Sequence, residues 1–464
     1  MMKMKAIYIL LLAGLLSSCD NFLDIVPVGQ LIPKTVDDYE QMFNNDYLMK
    51  LLNAETFFGA PDYGMNEVNF RDAYYYDRAC YIWGKQVFDE NSISYSDWGN
   101  LYATIYIDNV ILDQIGGAEG DELHRKKVIA EARSRRAFSY LLLVGIYAKQ
   151  YDESTAETDL GVPLRLSSDV SGVSLVRSTV KEVYDFIETE LKEAMKDLPD
   201  TAPNKFRFTK AVATSILART YLMMMKYEDA RIYADRALSE NNYLYDYNTL
   251  ELYYDEYYDG YYVDQVLAED NDENYLVRYY QYTNWGSGVG MSKEFYDLFP
   301  HDGSDQRENL ELTVKDLDQT MDSIYYNKAT IITIAPTVPE MYLIRAEGYA
   351  RKGDAVSLEK AMADINHLRL SRIVPDKYQE MMATTQDQVM EIVLKERRLE
   401  LNIQGGLNWF DMKRLNKEAK YARKQTRTID GATYTLEPNG NNYVMPIPYD
   451  VLGYNSAIID NLRD

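Results

Sequence analysis

The sequence predicts a mostly α-helical chain, built from pairs of helices with irregular segments inserted between them. Two adjoining stretches, 211–226 and 227–240, carry apolar residues at helical spacing and form the clearest pair. Two other segments, 56–91 and 243–289, show few periodic positions and many turn-forming residues. Long irregular stretches on a rigid scaffold tend to carry binding function. We therefore look for functional residues in these two segments.

The helix pair over 211–240 fits the tetratricopeptide pattern. Its large and small core positions are occupied by Leu217, Ala218, Tyr221, Ala230 and Ala237. Small residues let two helices approach closely, and large residues fill the groove between them. An Ala-x-x-Tyr step of the same kind recurs at Ala137/Tyr140 and Ala346/Tyr349, each inside a helical run. We expect a solenoid-like scaffold of helix pairs.

Turn and helix-ending residues delimit further helices. A helical stretch over 179–198 ends at Pro199. The run that contains Tyr349 stops at the turn sequence RKGD (351–354), and a second helix then continues to Leu370. Each of these stretches adds one element to the predicted scaffold.

A charged cluster, KERR at 395–398, lies among apolar residues that share one helical face, and WFD follows at 409–411. Charges at this spacing can pair along a helix. Trp409 and Phe410 supply packing bulk. We interpret the cluster as structural.

The first 18 residues have the pattern of a lipoprotein signal peptide. Residues 1–5 include two lysines, 6–16 form an apolar run, and small residues precede Cys19. The run of about eleven residues is too short to span a bilayer core about 30 Å thick. Small residues before a cysteine resemble a bacterial lipobox, in which the cysteine is acylated, for example with palmitate. We predict a signal peptide over 1–18 and membrane anchoring through a lipid on Cys19.

Composition limits the classes of ligand and the covalent cross-links that we expect. The formal net charge of −24 repels phosphate backbones, so we predict no nucleic-acid binding. Tyrosine is abundant, with 42 residues against 13 Phe and 4 Trp, and suits polar, ring-shaped ligands. Once Cys19 is lipidated only Cys80 remains, so no internal disulfide is expected and the core depends on packing. We predict one domain over 19–464.

Catalytic and metal chemistry have little support in the sequence. His124, His301 and His367 have no second His or Cys at metal-ligand spacing. The oxygen-rich turns 271–274 and 302–305 do not fit the spaced calcium loop, and we interpret them as solvated turns. No acid is set apart by its surroundings as half of a glycosidase pair. We predict no catalytic residue, no metal and no cofactor.

Several segments follow one another in a characteristic order along the chain. They are SSCDNFLDIVP, DWGNLYATIYIDNVIL, AEARSRRAFSYLLLVGIYA, GVPLRL, RSTVKEVYDFIETELKEAMKDLP, FRFTKAVATSILARTYLMMMKYEDARIYADRAL, EMYLIRAEGYARKGD, LKERRLELNIQGGLNWFDMKRLN and YVMPIPYDV. In this order and behind a lipobox, they resemble the SusD/RagB family of outer-membrane nutrient-binding lipoproteins from Bacteroidetes. The resemblance extends over nearly the whole mature chain.

The resemblance implies four tetratricopeptide-like helical pairs packed against an irregular, loop-rich region. It also implies a non-catalytic, lipid-anchored protein of the outer membrane, at the cell surface. Such a protein captures oligomers and passes them to a SusC-like TonB-dependent transporter. Glycans are the usual cargo, and a RagB-like branch takes peptides. We expect oligosaccharide cargo and keep peptide cargo, a glycoside hydrolase and a protein-interaction scaffold as alternatives.

By the same resemblance, two loops supply the ligand-binding residues. The first loop offers Arg71, Tyr74, Arg78, Trp83, Lys85 and Gln86, and the second offers Tyr280, Tyr282 and Trp285. Aromatic faces stack on the apolar face of a pyranose, while Arg, Gln and Lys hydrogen-bond hydroxyl groups at its rim.

The chain departs from the family pattern in places, including its end, AIIDNLRD, and NIQGGLNWFD at 402–411. These departures leave the cargo open. The tyrosine-rich stretch YYDEYYDGYY at 253–262 follows the second helical pair. We expect Tyr253 and Tyr254 to pack against the scaffold, and the rest to form a variable loop.

Overall fold

The computed structural model describes residues 33–44, 50–51, 58–88, 97–171, 175–256, 260–263, 268–280, 290–316, 322–326, 333–402 and 406–464. The predicted signal peptide and Cys19 lie outside the described residues. Within these ranges, no helix combines the length and apolar character needed to cross a membrane.

The described chain is dominated by α-helices. In chain order they are α1 (Val36–Gln41), α2 (Glu67–Asp72), α3 (Tyr75–Tyr81), α4 (Asp97–Gln114), α5 (Glu122–Tyr147), α6 (Val180–Ala194), α7 (Lys210–Met223), α8 (Tyr227–Glu240), α9 (Lys293–Tyr296), α10 (Gln306–Glu311), α11 (Val338–Lys352), α12 (Ala355–Leu370), α13 (Gln386–Leu401), α14 (Leu407–Leu415) and α15 (Tyr449–Tyr454). This confirms the predicted mostly α class.

Short strands lie between the helices. They are β1 (Lys50–Leu51), β2 (Tyr63–Gly64), β3 (Leu252–Asp255), β4 (Gly260–Val263), β5 (Tyr279–Tyr280), β6 (Gly290–Met291), β7 (Leu312–Asp316), β8 (Asp322–Tyr326), β9 (Gln425–Ile429) and β10 (Ala432–Leu436). Strands β2, β6, β8 and β7 form an antiparallel sheet in that order. Strands β3 and β4, and β9 and β10, form two hairpins, while β1 pairs with β5 in parallel.

The long helices pack in a row. Helix α5 packs between α4 and α6, α8 packs between α7 and α11, and α11 also packs against α12 and α13. The row agrees with the predicted solenoid of helix pairs. Four of its helices, α6, α7, α11 and α13, begin at threonine caps that accept hydrogen bonds from the first turn: Thr179, Thr209, Thr337 and Thr385.

The core positions assigned from the tetratricopeptide pattern are all buried. They are Leu217, Ala218, Tyr221, Ala230 and Ala237. Ala137 and Tyr140 in α5, and Ala346 in α11, are also buried, and Tyr349 is partly buried against the core. Helical periodicity therefore identified the packing faces correctly.

The charged cluster of α13 is structural, as predicted. Arg397 is buried and its Nε lies 2.7 Å from Asp411 Oδ2. Arg414 contacts both carboxylate oxygens of Glu347, at 2.7 and 2.8 Å. Burial alone would raise the pKa of Glu347, but Arg414 and Arg351 outweigh it and lower that pKa to about 2. These pairs neutralise charge that the helix packing removes from water.

The segments predicted to be irregular contain regular structure. Segment 56–91 includes α2 and α3, and segment 243–289 includes the β3–β4 hairpin. In that hairpin Tyr253 is opposite Tyr262, and Tyr254 is opposite Tyr261. Tyr253 and Tyr254 remain 49% and 47% exposed, so the expectation that they pack against the scaffold is wrong. Cross-strand pairing gives these tyrosines a regular position without burying them.

Gly348 in α11 lies where this helix packs closely against α8. A Cβ atom there would lie 2.6 Å from Arg231 Cβ and 2.9 Å from the carbonyl oxygen of Tyr227, both in α8. We expect Gly348→Ala to lower the free energy of unfolding by about 1–3 kcal/mol because α8 must shift. Urea unfolding measures this change.

Gly99→Ala is the matched control. Gly99 lies in α4, and a Cβ there would meet no atom within 4 Å. Alanine favours a helix over glycine by about 1 kcal/mol, so this variant should be as stable as the wild type or more stable. Equal destabilisation by both substitutions would contradict the close contact at Gly348.

Candidate functional site

The candidate ligand residues of the first predicted loop lie together on α2, α3 and the turn after them. We call this region, residues 67–86, the α2–α3 surface. Asn66 caps the start of α2, and its side chain accepts from Asn69 N at 2.8 Å. Helix α2 ends at Asp72, and α3 begins three residues later at Tyr75. This short connection fixes the two helices close to each other.

Two tyrosines project from the α2–α3 surface. Tyr74 is 67% exposed and Tyr75 is 40% exposed. The Tyr75 hydroxyl donates to the carbonyl oxygen of Gln86 at 3.1 Å, which connects the start of α3 to the following turn. The side chains of Lys85 and Gln86 are exposed in that turn. The surface therefore combines aromatic rings with polar groups, as predicted.

Arg71 is held at the edge of this surface by two carboxylates. Its Nε lies 2.9 Å from Asp430 Oδ1, and its Nη2 lies 3.1 Å from Glu67 Oε2. The hydrogen bond with Asp430 raises the pKa of Arg71. Arg78 is half-buried and donates to the carbonyl oxygen of Arg71 at 3.3 Å. The structure thus brings Arg71 and Arg78 together.

Asp430 belongs to the site, although the sequence reasoning did not select it. It occupies the two-residue turn between β9 and β10 with Gly431, and both have positive φ angles of 50° and 74°. An Asp-Gly pair between two alternating strands is a strong hairpin signal. The hairpin was therefore visible in the sequence, but its contact with Arg71 was not.

Trp83 is placed differently from the sequence expectation. Its ring is 2% exposed, and its Nε1 donates to the carbonyl oxygen of Gly59 at 2.9 Å. The guanidinium carbon of Arg427 lies 4.5 Å from the ring centroid. Stacking on a sugar requires an exposed ring face, and Trp83 has none in this structure. Its position is a supporting one beneath the α2–α3 surface.

Arg427 is the second support that the sequence reasoning missed. It is buried and donates to the carbonyl oxygens of Phe58 at 2.8 Å and Tyr63 at 3.2 Å, and also to those of Ala60 and Tyr81. Burial lowers the pKa of Arg427 to about 10. Burial alternates along β9 and turns Arg427 inward, but the sequence QTRTI has no apolar alternation that would indicate this.

The second predicted loop is described only at its ends. Tyr280 lies on β5, paired in parallel with Leu51, while Tyr282 and Trp285 lie outside the described residues. Strand β6 begins at Gly290, which is paired with Gly64 of β2. Strand β2 leads directly into α2. Strand β6, which follows the second predicted loop, is therefore hydrogen-bonded to β2, which precedes the α2–α3 surface.

One cluster offers possible metal ligands. His124 places Nδ1 3.2 Å from Asp37 and Nε2 3.0 Å from Glu40, and ligand atoms of all three residues lie within 4.8 Å of one another. Both ring nitrogens face carboxylates, and Glu40 also contacts Arg207 at 2.7 Å. The contacts of His124 connect α1 to α5. His124 is 84 positions from Glu40 in the sequence, which is why spacing alone did not indicate the cluster.

Comparison with known proteins identifies the family. Residues 22–222 match a SusD-like family model described as "Starch-binding associating with outer membrane", and residues 215–462 match the SusD/RagB model, described as "SusD family". The chain is similar to SusD-like protein P2 of Formosa agariphila, with 24% identity over 99% of both chains. Together the two family matches extend over nearly the whole sequence.

Solved structures share the fold. A SusD superfamily protein from Bacteroides thetaiotaomicron is similar with a TM-score of 0.73 and 19% identity, covering 92% of this chain and 100% of its own. A SusD-like carbohydrate binding protein from Bacteroides vulgatus is similar with a TM-score of 0.66 and 20% identity, covering 93% and 98%. A putative sugar binding protein from the same species has a TM-score of 0.69 at 19% identity, covering 93% and 99%.

The free energy of unfolding of two variants can test that Trp83 is buried and Tyr74 is exposed. Trp83→Ala should lower the free energy of unfolding by about 3–5 kcal/mol, because it leaves a cavity and an unpaired carbonyl. Tyr74→Ala removes an exposed ring and should change it by less than about 0.5 kcal/mol. Denaturant unfolding of both variants measures the difference. A wild-type stability for Trp83→Ala would contradict the buried position of its ring.

Proposed function

Because the chain belongs to the SusD/RagB family, we propose that it is a cell-surface lipoprotein that binds extracellular oligosaccharides and delivers them to a SusC-like TonB-dependent outer-membrane transporter. In this proposal the chain binds its cargo without cleaving it. The family description supports starch-like ligands and an outer-membrane location. The names of two structural relatives, which refer to carbohydrate and sugar binding, support the same ligand class.

Our proposal that both loops form one binding site rests on the pairing of β2 with β6. This pairing joins the chain that leaves the second loop to the chain that enters the α2–α3 surface. Residues from both loops can then contact one oligomer. A ligand site buries most of the surface of its ligand, so contacts from both loops favour an extended oligomer.

Within this site we assign separate roles to the exposed side chains. The ring of Tyr74 stacks on the apolar face of a pyranose. Arg71, held in place by Asp430 and Glu67, donates its remaining N–H groups to sugar hydroxyls. Lys85 and Gln86 reach hydroxyls at the rim. Tyr282 and Trp285, which lie outside the described residues, are further candidate ligand residues from the second loop, and Trp83 supports the site from below.

Carboxylates at the α2–α3 surface favour binding over hydrolysis. Glu67 and Asp430 both pair with the same guanidinium, that of Arg71. A glycosidase instead sets two carboxyl groups across the scissile bond, about 5–10 Å apart. Ion pairing with Arg71 gives these two acids a positioning role in the proposal.

The first experiment identifies the ligand. The purified chain is applied to an array of oligosaccharides and peptides, and the best-bound oligosaccharide is then titrated by calorimetry. We expect Tyr74→Ala to weaken its binding about tenfold and leave the melting temperature unchanged, since a stacking contact is worth about 1 kcal/mol or more.

Tyr454→Ala is the matched control, because Tyr454 is 92% exposed on α15, outside the α2–α3 surface. Its binding should equal that of the wild type. Unchanged affinity in Tyr74→Ala would remove the α2–α3 surface from the proposal. Selective capture of peptides would favour the RagB-like alternative, and sustained release of shorter sugars would favour a hydrolase.

Membrane anchoring is tested at the predicted lipidation site. Cys19→Ala removes the acylated thiol, so the protein should move from the membrane fraction to the soluble fraction of cells. Fractionation followed by immunoblotting measures this distribution. Cys80→Ala is the control, since Cys80 is buried in the described structure and should not affect anchoring. Retention of the Cys19→Ala variant in membranes would contradict the lipid anchor.

A further inference from the structure

A separate cleft lies beside α13 and α14. It has a volume of about 340 Å³ and is lined by residues 61–62, Glu294, one side of α13 and α14, and the segment 416–425. We call it the α13–α14 cleft. Its volume lies within the range of small-molecule pockets, about 300–1,000 Å³. None of its lining residues belongs to the α2–α3 surface.

The floor of the α13–α14 cleft consists of charged groups that are already paired. Asp62 is fully buried, accepts from Arg398 Nε at 2.7 Å and also accepts from Asn408. Arg397 pairs with Asp411 at 2.7 Å. These pairs neutralise each other and fix the side chains around them. The floor is therefore rigid before any ligand arrives, which lowers the entropic cost of binding.

Gln425 offers the cleft a hydrogen-bonding group that is not used elsewhere. Its side chain is on the buried side of β9, because burial alternates along that strand, and the residue is 9% exposed and lines the cleft. No hydrogen bond joins its side-chain amide to another residue in the described ranges. The amide atoms are not among the buried side-chain atoms that lack a partner, so solvent in the cleft reaches them. A ligand in the cleft can supply the missing acceptor or donor.

Two cations stand at the mouth of the cleft. The side chain of Arg423 is 64% exposed, and its nearest carboxylate, Glu294, is 3.8 Å away. Lys420 is 51% exposed and pairs with Asp387. Glu294 is itself held by Arg398 at 3.0 Å. Exposed ion pairs contribute little, so Arg423 and Lys420 can exchange their partners for a ligand anion at small cost.

The remaining wall of the cleft is apolar. It is formed by Leu394, Met412, Leu415 and Tyr421. A sugar, with hydroxyls around its ring, would leave hydrogen-bonding groups unpaired against such a wall. An aliphatic or aromatic group would gain from burial there. The cleft thus combines a cationic mouth and a floor of paired charges with one apolar wall.

We propose that the α13–α14 cleft binds a small carboxylate carried on an apolar body. Lys420 and Arg423 pair with the carboxylate, Gln425 hydrogen-bonds the ligand, and the apolar wall covers its body. Two sources share this chemistry, the carboxyl end of an apolar amino acid or peptide and a short fatty acid. This site does not depend on the proposed oligosaccharide binding.

Four probes test the ligand class by isothermal titration of the purified chain. They are N-acetyl-leucine, hexanoate, N-acetyl-leucinamide and glucuronate. We expect the first two to bind, and their order of affinity separates the peptide-like source from the fatty acid. The neutral amide and the polar glucuronate should each bind at least about tenfold more weakly, since each lacks one of the two required features. Added salt should weaken the binding of N-acetyl-leucine.

Variants at the mouth test the location. Lys420→Gln and Arg423→Gln should each weaken binding of N-acetyl-leucine about fivefold. Lys424→Gln is the matched control, because Lys424 is 55% exposed, pairs with Glu437 and does not line the cleft. It should bind as the wild type does. The proposal is overturned if neither carboxylate binds, if the neutral amide binds equally well, or if Lys424→Gln weakens binding as much as the mouth variants.

Discussion

The buried guanidinium of Arg427 is the contact on which the α2–α3 surface depends. It donates to backbone carbonyls at 58–63 and at the end of α3, between the rings of Tyr81 and Trp83. A guanidinium removed from water must have its N–H groups satisfied, and irregular backbone supplies free carbonyls that helices do not. The guanidinium of Arg427 and the backbone of residues 58–63 therefore stabilise each other. Without Arg427 the carbonyls would be buried and unpaired.

A second buried arginine that donates to backbone carbonyls lies at the end of the chain. Arg463 is buried and donates to the carbonyl oxygens of Gly84 and Val444, at 3.0 and 2.8 Å. Asn442 donates to the carbonyl oxygen of Trp83 at 3.0 Å. The C-terminal segment thus fastens the turn that carries Lys85 and Gln86. In this protein polar side chains from the last forty residues hold the α2–α3 surface in place.

The helical row relies on buried ion pairs as well as on apolar packing. Arg307 contacts Asp305, Glu396 and Glu400, and Arg372 contacts Glu273 and Glu400. Breaking one member of such a network leaves an uncompensated buried charge, at a cost of about 3–5 kcal/mol. Because every charge must find its partner, the network also specifies how α10, α13 and the segment that follows α12 fit together. A rigid row of helices can then carry exposed tyrosines without losing its own order.

The sequence by itself determined the helical class, the order of the helices and their buried faces. Periodicity and capping are local, so Leu217, Ala218 and Ala230 were assigned correctly from spacing alone. It also supplied the residues of the first loop and the family resemblance.

Only the tertiary structure decided which of those loop residues are exposed. Trp83 and Tyr74 lie nine positions apart in similar aromatic sequence, yet one is buried under Arg427 and the other faces solvent. Arg71 and Asp430 meet across 359 positions, and Gly64 meets Gly290 through strand pairing. The α13–α14 cleft gathers its lining in the same way. Contacts of this range follow from how the whole chain packs, and no local pattern of residues specifies them.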